Sequence, residues 1–248
     1  MIQSDKQFQL KRISEKGWTM PKRIISSNLE FLANGGTTPG YLSRPEGEGL
    51  YAGVVLIQEW WGLEEHILDV TRRFAGEGFV TLAPDLYHGQ VTSEPTDAMK
   101  LAQGMDRDRA MKELNGAVSY LKSLPFTTDK VGVIGFCMGG ALSMSISCLN
   151  RDLDACVVFY GGNPSPLELL QSMSCPLLGL YGDLDQRQMD SLPDLRTALD
   201  LYGKKYDIHV YPNSHHGFFN DTKPAAYGAE SAKDAWEKVL GFFSANLG

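Results

Sequence analysis

Runs of apolar, mostly β-branched residues recur along the chain and alternate with stretches of helical character. The first, GVVLIQ (53–58), is continuous and apolar, as expected of a strand buried on both faces of a parallel sheet. FVTLAP (79–84), KVGVIGF (130–136), ACVVFYGG (155–162), PLLGLYG (176–182) and YDIHVYP (206–212) are of the same kind. Between and after them lie EEHILDVTRRFAGEG, the long DAMKLAQGMDRDRAMKELNGAVSYLKSL, GGALSMSISCL, SLPDLRTALDLYG and AESAKDAWEKVLGFFSANL. In the last of these Ala232, Ala235, Trp236, Val239, Leu240 and Phe243 recur at helical spacing and give one apolar face. Strand alternating with helix in this way predicts an α/β fold, a mostly parallel sheet with helices on both faces. Ahead of it, NLEFLA (28–33), the turn signal NGG and TPGYLSRP predict an antiparallel N-terminal edge. No Pro/Gly/Ser-rich linker interrupts the pattern. Residues 1–27 are therefore expected to form an N-terminal arm and residues 28–248 a single domain.

A net charge of -7 disfavours nucleic acid and anionic membranes as partners. The opening MIQSDKQFQLKR has no apolar stretch behind it, unlike a secretory leader, and no apolar run approaches the ~20 residues that span a bilayer. Four cysteines without a C-x-x-C spacing predict neither a disulfide framework nor a structural zinc site. These features predict a cytoplasmic protein with free thiols, a monomer or small homo-oligomer, whose partner is a small molecule. In such a sheet the functional residues collect on loops at the carboxyl ends of the strands.

One of those loops is Gly135-Phe136-Cys137-Met138-Gly139, between the strand KVGVI and the helix GGALSMSISCL. A direct strand-to-helix turn projects its middle residue, and glycines two before and two after relieve the crowding. The free amides at the helix start favour an anion there, so a thiolate at Cys137 would be a nucleophile. A dinucleotide-binding G-x-G-x-x-G would need glycine where Cys137 stands, and a P-loop lysine is missing. A buried, inert cysteine is the plain alternative. Two further loops weigh against it. The strand PLLGLYG runs into Asp183-Leu184-Asp185, and the strand YDIHVYP into Asn213-Ser214-His215-His216. Nucleophile, acid and histidine thus follow in the order of an α/β-hydrolase chain, with a base of near-neutral pKa and a carboxylate to orient it. Spacing alone leaves open which of each pair acts.

The chain resembles the dienelactone hydrolases, cysteine members of the α/β-hydrolase superfamily, over about residues 28–246. The resemblance rests on Gln58-Glu59-Trp60-Trp61-Gly62, Ala83-Pro84-Asp85-Leu86-Tyr87, Gly135 through Gly140, Gly182-x-x-Asp185 and His216 through Asp221. It implies an α/β-hydrolase fold and an ester or lactone hydrolase without metal or organic cofactor. Within the loops it selects Asp185 over Asp183 and His216 over His215. It further implies that Glu59 contacts the resting cysteine and holds its proton, and that the backbone N–H groups of Trp60 and Met138 form the oxyanion hole. Dienelactone-cleaving members hold the substrate carboxylate with two arginines; here those positions are Gly89 and Asn220. The pocket would instead be lined by Trp60, Trp61, Tyr87 and Phe218, with His88 as a polar contact, which points to an uncharged or aromatic ester. His66 and His209 read as surface or packing residues, Cys148, Cys156 and Cys175 as small hydrophobes, and MDRDRAMKE as a solvated helix face. The competing reading is a thiol-based binding or redox-sensing protein on a hydrolase scaffold.

Overall fold

The computed structural model of the protein describes residues 23–248. The expected N-terminal arm thus lies outside the described residues up to residue 22. Beyond that the chain forms eight strands: β1 (Ile24–Ala33), β2 (Gly36–Pro45), β3 (Tyr51–Ile57), β4 (Val80–Pro84), β5 (Thr127–Phe136), β6 (Ala155–Phe159), β7 (Leu177–Gly182) and β8 (Tyr206–Tyr211). Helices α1 (Glu65–Glu77), α2 (Pro95–Gly104), α3 (Arg107–Ser123), α4 (Met138–Leu149), α5 (Gln186–Leu201) and α6 (Ala229–Leu247) connect or follow them, with a short 3-10 turn at Leu167–Ser172.

The strands make one sheet in the order β1-β2-β4-β3-β5-β6-β7-β8. The first two strands run antiparallel to each other and β2 to β4; every other pairing is parallel. The edge hairpin closes through Asn34 and Gly35, both at positive φ (52° and 75°), the backbone demanded by a two-residue turn that follows the sheet's twist. β1 starts at Ile24, four residues before the apolar alternation that predicted it.

Successive residues of the central strands feed opposite faces, as the period of two requires. Val55 and Ile57 of β3 and Val131 and Val133 of β5 join Leu114, Ala117 and Leu121 of α3, Leu142 of α4 and Leu195 of α5. On the other face Val54, Leu56, Ile134 and Phe136 meet Ile67, Val70 and Phe74 of α1 and Ala235, Val239 and Phe243 of α6. Both layers exclude water from the sheet, and at ~25 cal/mol per Å² of apolar surface buried they supply the main drive for folding.

The single helical stretch predicted over 97–124 is two helices. α2 stops at Gly104, a poor helix former, and Asp106 caps α3 by accepting a hydrogen bond from the Arg109 N–H at 3.0 Å. The break matters for the site, because it leaves Arg107 at the start of α3.

Within the sheet the chain leaves β3 for β4 on one side and returns to its other side at β5. The loops that follow β3 and β5 therefore diverge, and a crevice opens between them at the strands' carboxyl ends.

His66 lies beneath this region, on α1, 1% exposed, with Phe136 and Phe219 edge-on to its ring. Neither ring nitrogen has a hydrogen bond, although Asp221 Oδ1 stands 3.3 Å from Nδ1. Burial holds its pKa below the usual histidine value; Asp221 and Asp69 oppose that and Arg73 adds to it. The folded chain thus binds this proton less readily than the unfolded chain. Stability carried by neutral His66 is complete at high pH and drains away as pH falls below about 6.5. In His66→Leu the fall in Tm between pH 7.5 and 5.5 is expected to shrink by about 2–4 °C, the effect of ~1 kcal/mol in a domain of this size. Thermal melts at the two pH values check this; an unchanged difference would refute it.

Candidate active site

β5 ends at Phe136 and α4 begins at Met138, so Cys137 makes the turn alone. It does so at φ 54° and ψ −114°, backbone angles that a residue with a Cβ adopts only when its surroundings impose them. Its N–H donates to the Phe159 carbonyl at 3.0 Å and its carbonyl accepts from the Ala141 N–H at 3.2 Å. The flanking glycines are close-approach positions. A Cβ at Gly135 would lie 2.1 Å from the Gly139 oxygen, and one at Gly139 would lie 2.4 Å from the oxygens of Ile57 and Gln58. Hydrogen at both positions lets α4 begin hard against β3 and β5, with the half-buried thiol projecting from the turn.

Asp185 follows β7, and His216 follows β8. Asp185 is buried, and its Oδ2 meets His216 Nδ1 at 2.5 Å. That leaves Nε2 for Cys137. Burial by itself pushes the imidazole's pKa down, but the hydrogen bond to Asp185, then that to Cys137, outweigh it and hold the pKa up at about 10. Asp183 has a different duty: its Oδ1 accepts from the Ser214 N–H at 3.2 Å and ties the turn. His215 is exposed, and its carbonyl accepts from the Phe218 N–H.

Glu59 follows β3 and is buried at 3% exposure. Its Oε1 accepts from the Tyr160 hydroxyl at 3.2 Å and its Oε2 from Asn220 Nδ2 at 2.9 Å. The amide of Asn220 is itself fixed, since its Oδ1 accepts from the Thr222 N–H at 3.0 Å and the Thr222 hydroxyl at 2.6 Å. Burial raises the pKa of Glu59, and Glu64 adds to this, while the bonds from Asn220 and Tyr160 pull the other way. The hydrogen bonds that Glu59 makes among the described residues are those with Tyr160 and Asn220, and the thiol contact that the resemblance implied is not one of them. The N–H groups of Trp60 and Met138 have no acceptor among the described residues.

Cys137, His216, Asp185 and Glu59 all line one cavity of about 760 Å³, together with Trp60, Trp61 and Tyr160. Three of the expected pocket residues do not line it. Phe218 is fully buried, packed between Phe159, Tyr160 and Tyr211. Tyr87 is 4% exposed and lies behind Met138, donating its hydroxyl to the Met138 sulfur at 3.3 Å. His88 turns to α3 instead, where its Nε2 meets Glu113 Oε1 at 2.8 Å. The lining residues that the sequence reading passed over include Tyr160, Arg107, Arg187 and Lys223. Tyr160 had a signal, its place at the end of the run ACVVFYGG. The cations had none, because their approach to the cavity depends on helix breaks and on a loop path that periodicity does not encode.

Burial leaves the other three thiols at 3% exposure for Cys148, 0% for Cys156 and 5% for Cys175. It pushes Cys148 up to about 11, Cys175 up to about 12 and Cys156 well above the usual thiol value, so all three stay protonated at neutral pH. Among the described residues no group of three or more His, Cys, Asp or Glu could hold a metal, and no helix is long and apolar enough to cross a membrane.

Residues 38–247 match the dienelactone hydrolase family profile. A protein from Saccharolobus solfataricus described as "Putative carboxymethylenebutenolidase" is 32% identical over an alignment 257 positions long, gaps included, that covers 88% of this chain and 98% of that one. "Protein usf" of Aquifex pyrophilus is 35% identical, with 88% and 98% covered. Among solved structures, the "Putative Dienelactone Hydrolase" of Klebsiella pneumoniae superposes with a TM-score of 0.83 at 30% identity, covering 90% of this chain and 99% of that one. The fold is that of the α/β-hydrolases.

Proposed function

The chain belongs to the dienelactone hydrolase family, and from that premise we propose that it hydrolyses a small ester or lactone with Cys137 as nucleophile, His216 as its base and Asp185 orienting His216. The observation that carries the proposal is the short His216–Asp185 hydrogen bond, 2.5 Å, aimed at a thiol held on a strained turn. Asp185 fixes Nδ1 as the protonated nitrogen, so Nε2 can accept the thiol proton, and the raised imidazole pKa keeps it there. Sγ then bonds to the substrate's carbonyl carbon, and the carbonyl's π pair moves to oxygen. The N–H groups of Trp60 and Met138 are free to receive that charge. As the carbonyl reforms, the C–O bond to the alcohol breaks and His216 returns its proton to the leaving oxygen. Water, deprotonated by His216, attacks the thioester, and the acid leaves as the thiol is restored. Glu59 is a gating group in this reading, its carboxyl standing between Tyr160 and Asn220 beside the thiol's turn.

Mixing the enzyme with excess p-nitrophenyl acetate and quenching in acid is expected to leave one acyl group on the peptide that contains Cys137. Mass spectrometry of the digest reads it, and prior alkylation of Cys137 removes it. An acyl group on Cys148, Cys156 or Cys175, or on none, would overturn the assignment. The thiol-sensor reading draws on the same half-exposed sulfur and gives Asp185 no role. It predicts instead that peroxide adds one oxygen to Cys137 and that the ester leaves no acyl group.

A further inference from the structure

We propose that the cavity takes an elongated ester whose far end is anionic, with Arg107 and Arg187 holding that end at the mouth. The proposal rests on the reading of Cys137 given above, which fixes where the scissile carbonyl lies.

Two observations give the shape. Met138, Ala141, Leu142 and Ser145 of α4 all line the cavity. Their spacing of three, one and three residues places them on one helix face, so the wall runs along α4 for about 10 Å beyond the nucleophile's turn at 1.5 Å per residue. Ala102 of α2 and Met105 just after it add apolar lining. An acyl or alkoxy arm of roughly six carbons has an apolar bed there.

The charges give the polarity. Besides His216, the cations that line the cavity are Arg107, Arg187 and Lys223; the carboxylates are Glu59 and Asp185. Asp185 is spent on His216, and Glu59 on Tyr160 and Asn220. Lys223 is occupied too, with its Nζ 4.3 Å from the Trp61 ring centre and Glu64 nearby. Arg107 and Arg187 are exposed and have neither ion pair nor hydrogen bond among the described residues. Elsewhere arginines are engaged: Arg72 with Glu65 and Asp69, Arg109 with the Leu86 carbonyl, Arg196 with the Ile208 carbonyl, and Arg73 on Trp236. Arg23 and Arg151 are also without a side-chain partner but lie outside the cavity. On a chain of net charge -7, two uncommitted guanidiniums at one cavity make a local field that attracts an anion against the overall charge. A guanidinium also offers a carboxylate two parallel hydrogen bonds. Neither residue stands at Gly89 or Asn220, so the anion would be held instead from the starts of α3 and α5.

The test uses two esters of one chain length, p-nitrophenyl hexanoate and mono-p-nitrophenyl adipate, which differ in a terminal carboxylate. The wild-type protein is expected to prefer the adipate ester, and in the double variant R107Q/R187Q the adipate-to-hexanoate ratio of kcat/KM falls at least fivefold. The control Arg151→Gln keeps the ratio of the parent. A smaller fall in the double variant, or no wild-type preference for the adipate ester, overturns the proposal. If neither ester turns over, the reading of Cys137 is what has failed, and calorimetry then decides the anion site by itself. Adipate that binds the parent at least fivefold more tightly than R107Q/R187Q sustains it; equal or absent binding overturns it.

Discussion

Cys137→Ala is expected to lower kcat/KM for p-nitrophenyl acetate by about 10³–10⁴-fold, with the protein folded and its Tm within a few degrees of the parent. Alanine removes the atom that would bond to the carbonyl and leaves the N–H groups of Trp60 and Met138 and the His216–Asp185 pair in place. What remains is catalysis by those groups alone, which is why the loss is finite. Residues that act as one unit are strongly non-additive, so adding His216→Gln to Cys137→Ala is expected to cost little more. Steady-state kinetics on the two single variants and the double variant measure both statements. A Cys137→Ala protein with more than a tenth of the parent activity would end the assignment, and independent, multiplying losses would show that the two side chains do not work together.

Gly135→Ala is expected to have the largest effect on the fold. Its new methyl carbon would stand 2.1 Å from the Gly139 oxygen, 2.3 Å from the Gly139 carbonyl carbon and 2.6 Å from the Ser143 hydroxyl. Two of these are backbone atoms of the helix that follows the Cys137 turn, so relief requires α4 to move off the sheet. The cost is about 3 kcal/mol or more, near the upper end for overpacking, and the displaced turn loses its activity as well. Gly76→Ala is the matched comparison. It lies on the exposed side of α1 with no atom within 4 Å of the new carbon, and helix propensity predicts a gain of about 0.5–1 kcal/mol there. Chemical denaturation of both variants reads the contrast; a Gly135→Ala protein as stable as the parent would mean that α4 is not held where it is described.

The strands were legible because burial on both faces leaves a composition that nothing else in a small domain requires. GVVLIQ, KVGVIGF and PLLGLYG all became strands of one sheet, and their ends located Glu59, Cys137 and Asp185 within one cavity. The side chains that fill space were less legible. Tyr87 and Phe218 follow strands as pocket residues do, yet Tyr87 supports Met138 from behind and Phe218 completes an aromatic cluster. An aromatic ring serves either purpose equally well, and only the direction of the Cα–Cβ bond decides between them. The charged run MDRDRAMKE was expected to face solvent throughout. Instead Arg107 lines the cavity, while Arg109 and His88 meet the buried carboxyl of Glu113. Periodicity there counts residues along one continuous helix, and the break at Asp106 resets the count.

That break also divides the molecule by tolerance to change. The Cys137 turn is clamped between carbonyls of neighbouring strands, so its coordinates are fixed by the sheet as a whole. α2, by contrast, sinks a single residue, Ala98, into the interior. Two walls of the same cavity therefore stand at opposite ends of a scale of mutational freedom. Insertions, deletions or wholesale replacement of residues 95–104 would redraw the shape offered to a ligand while Cys137, His216 and Asp185 kept their places. Diversification of substrate range in a scaffold of this kind has a natural point of entry, and it is a helix that the core scarcely holds.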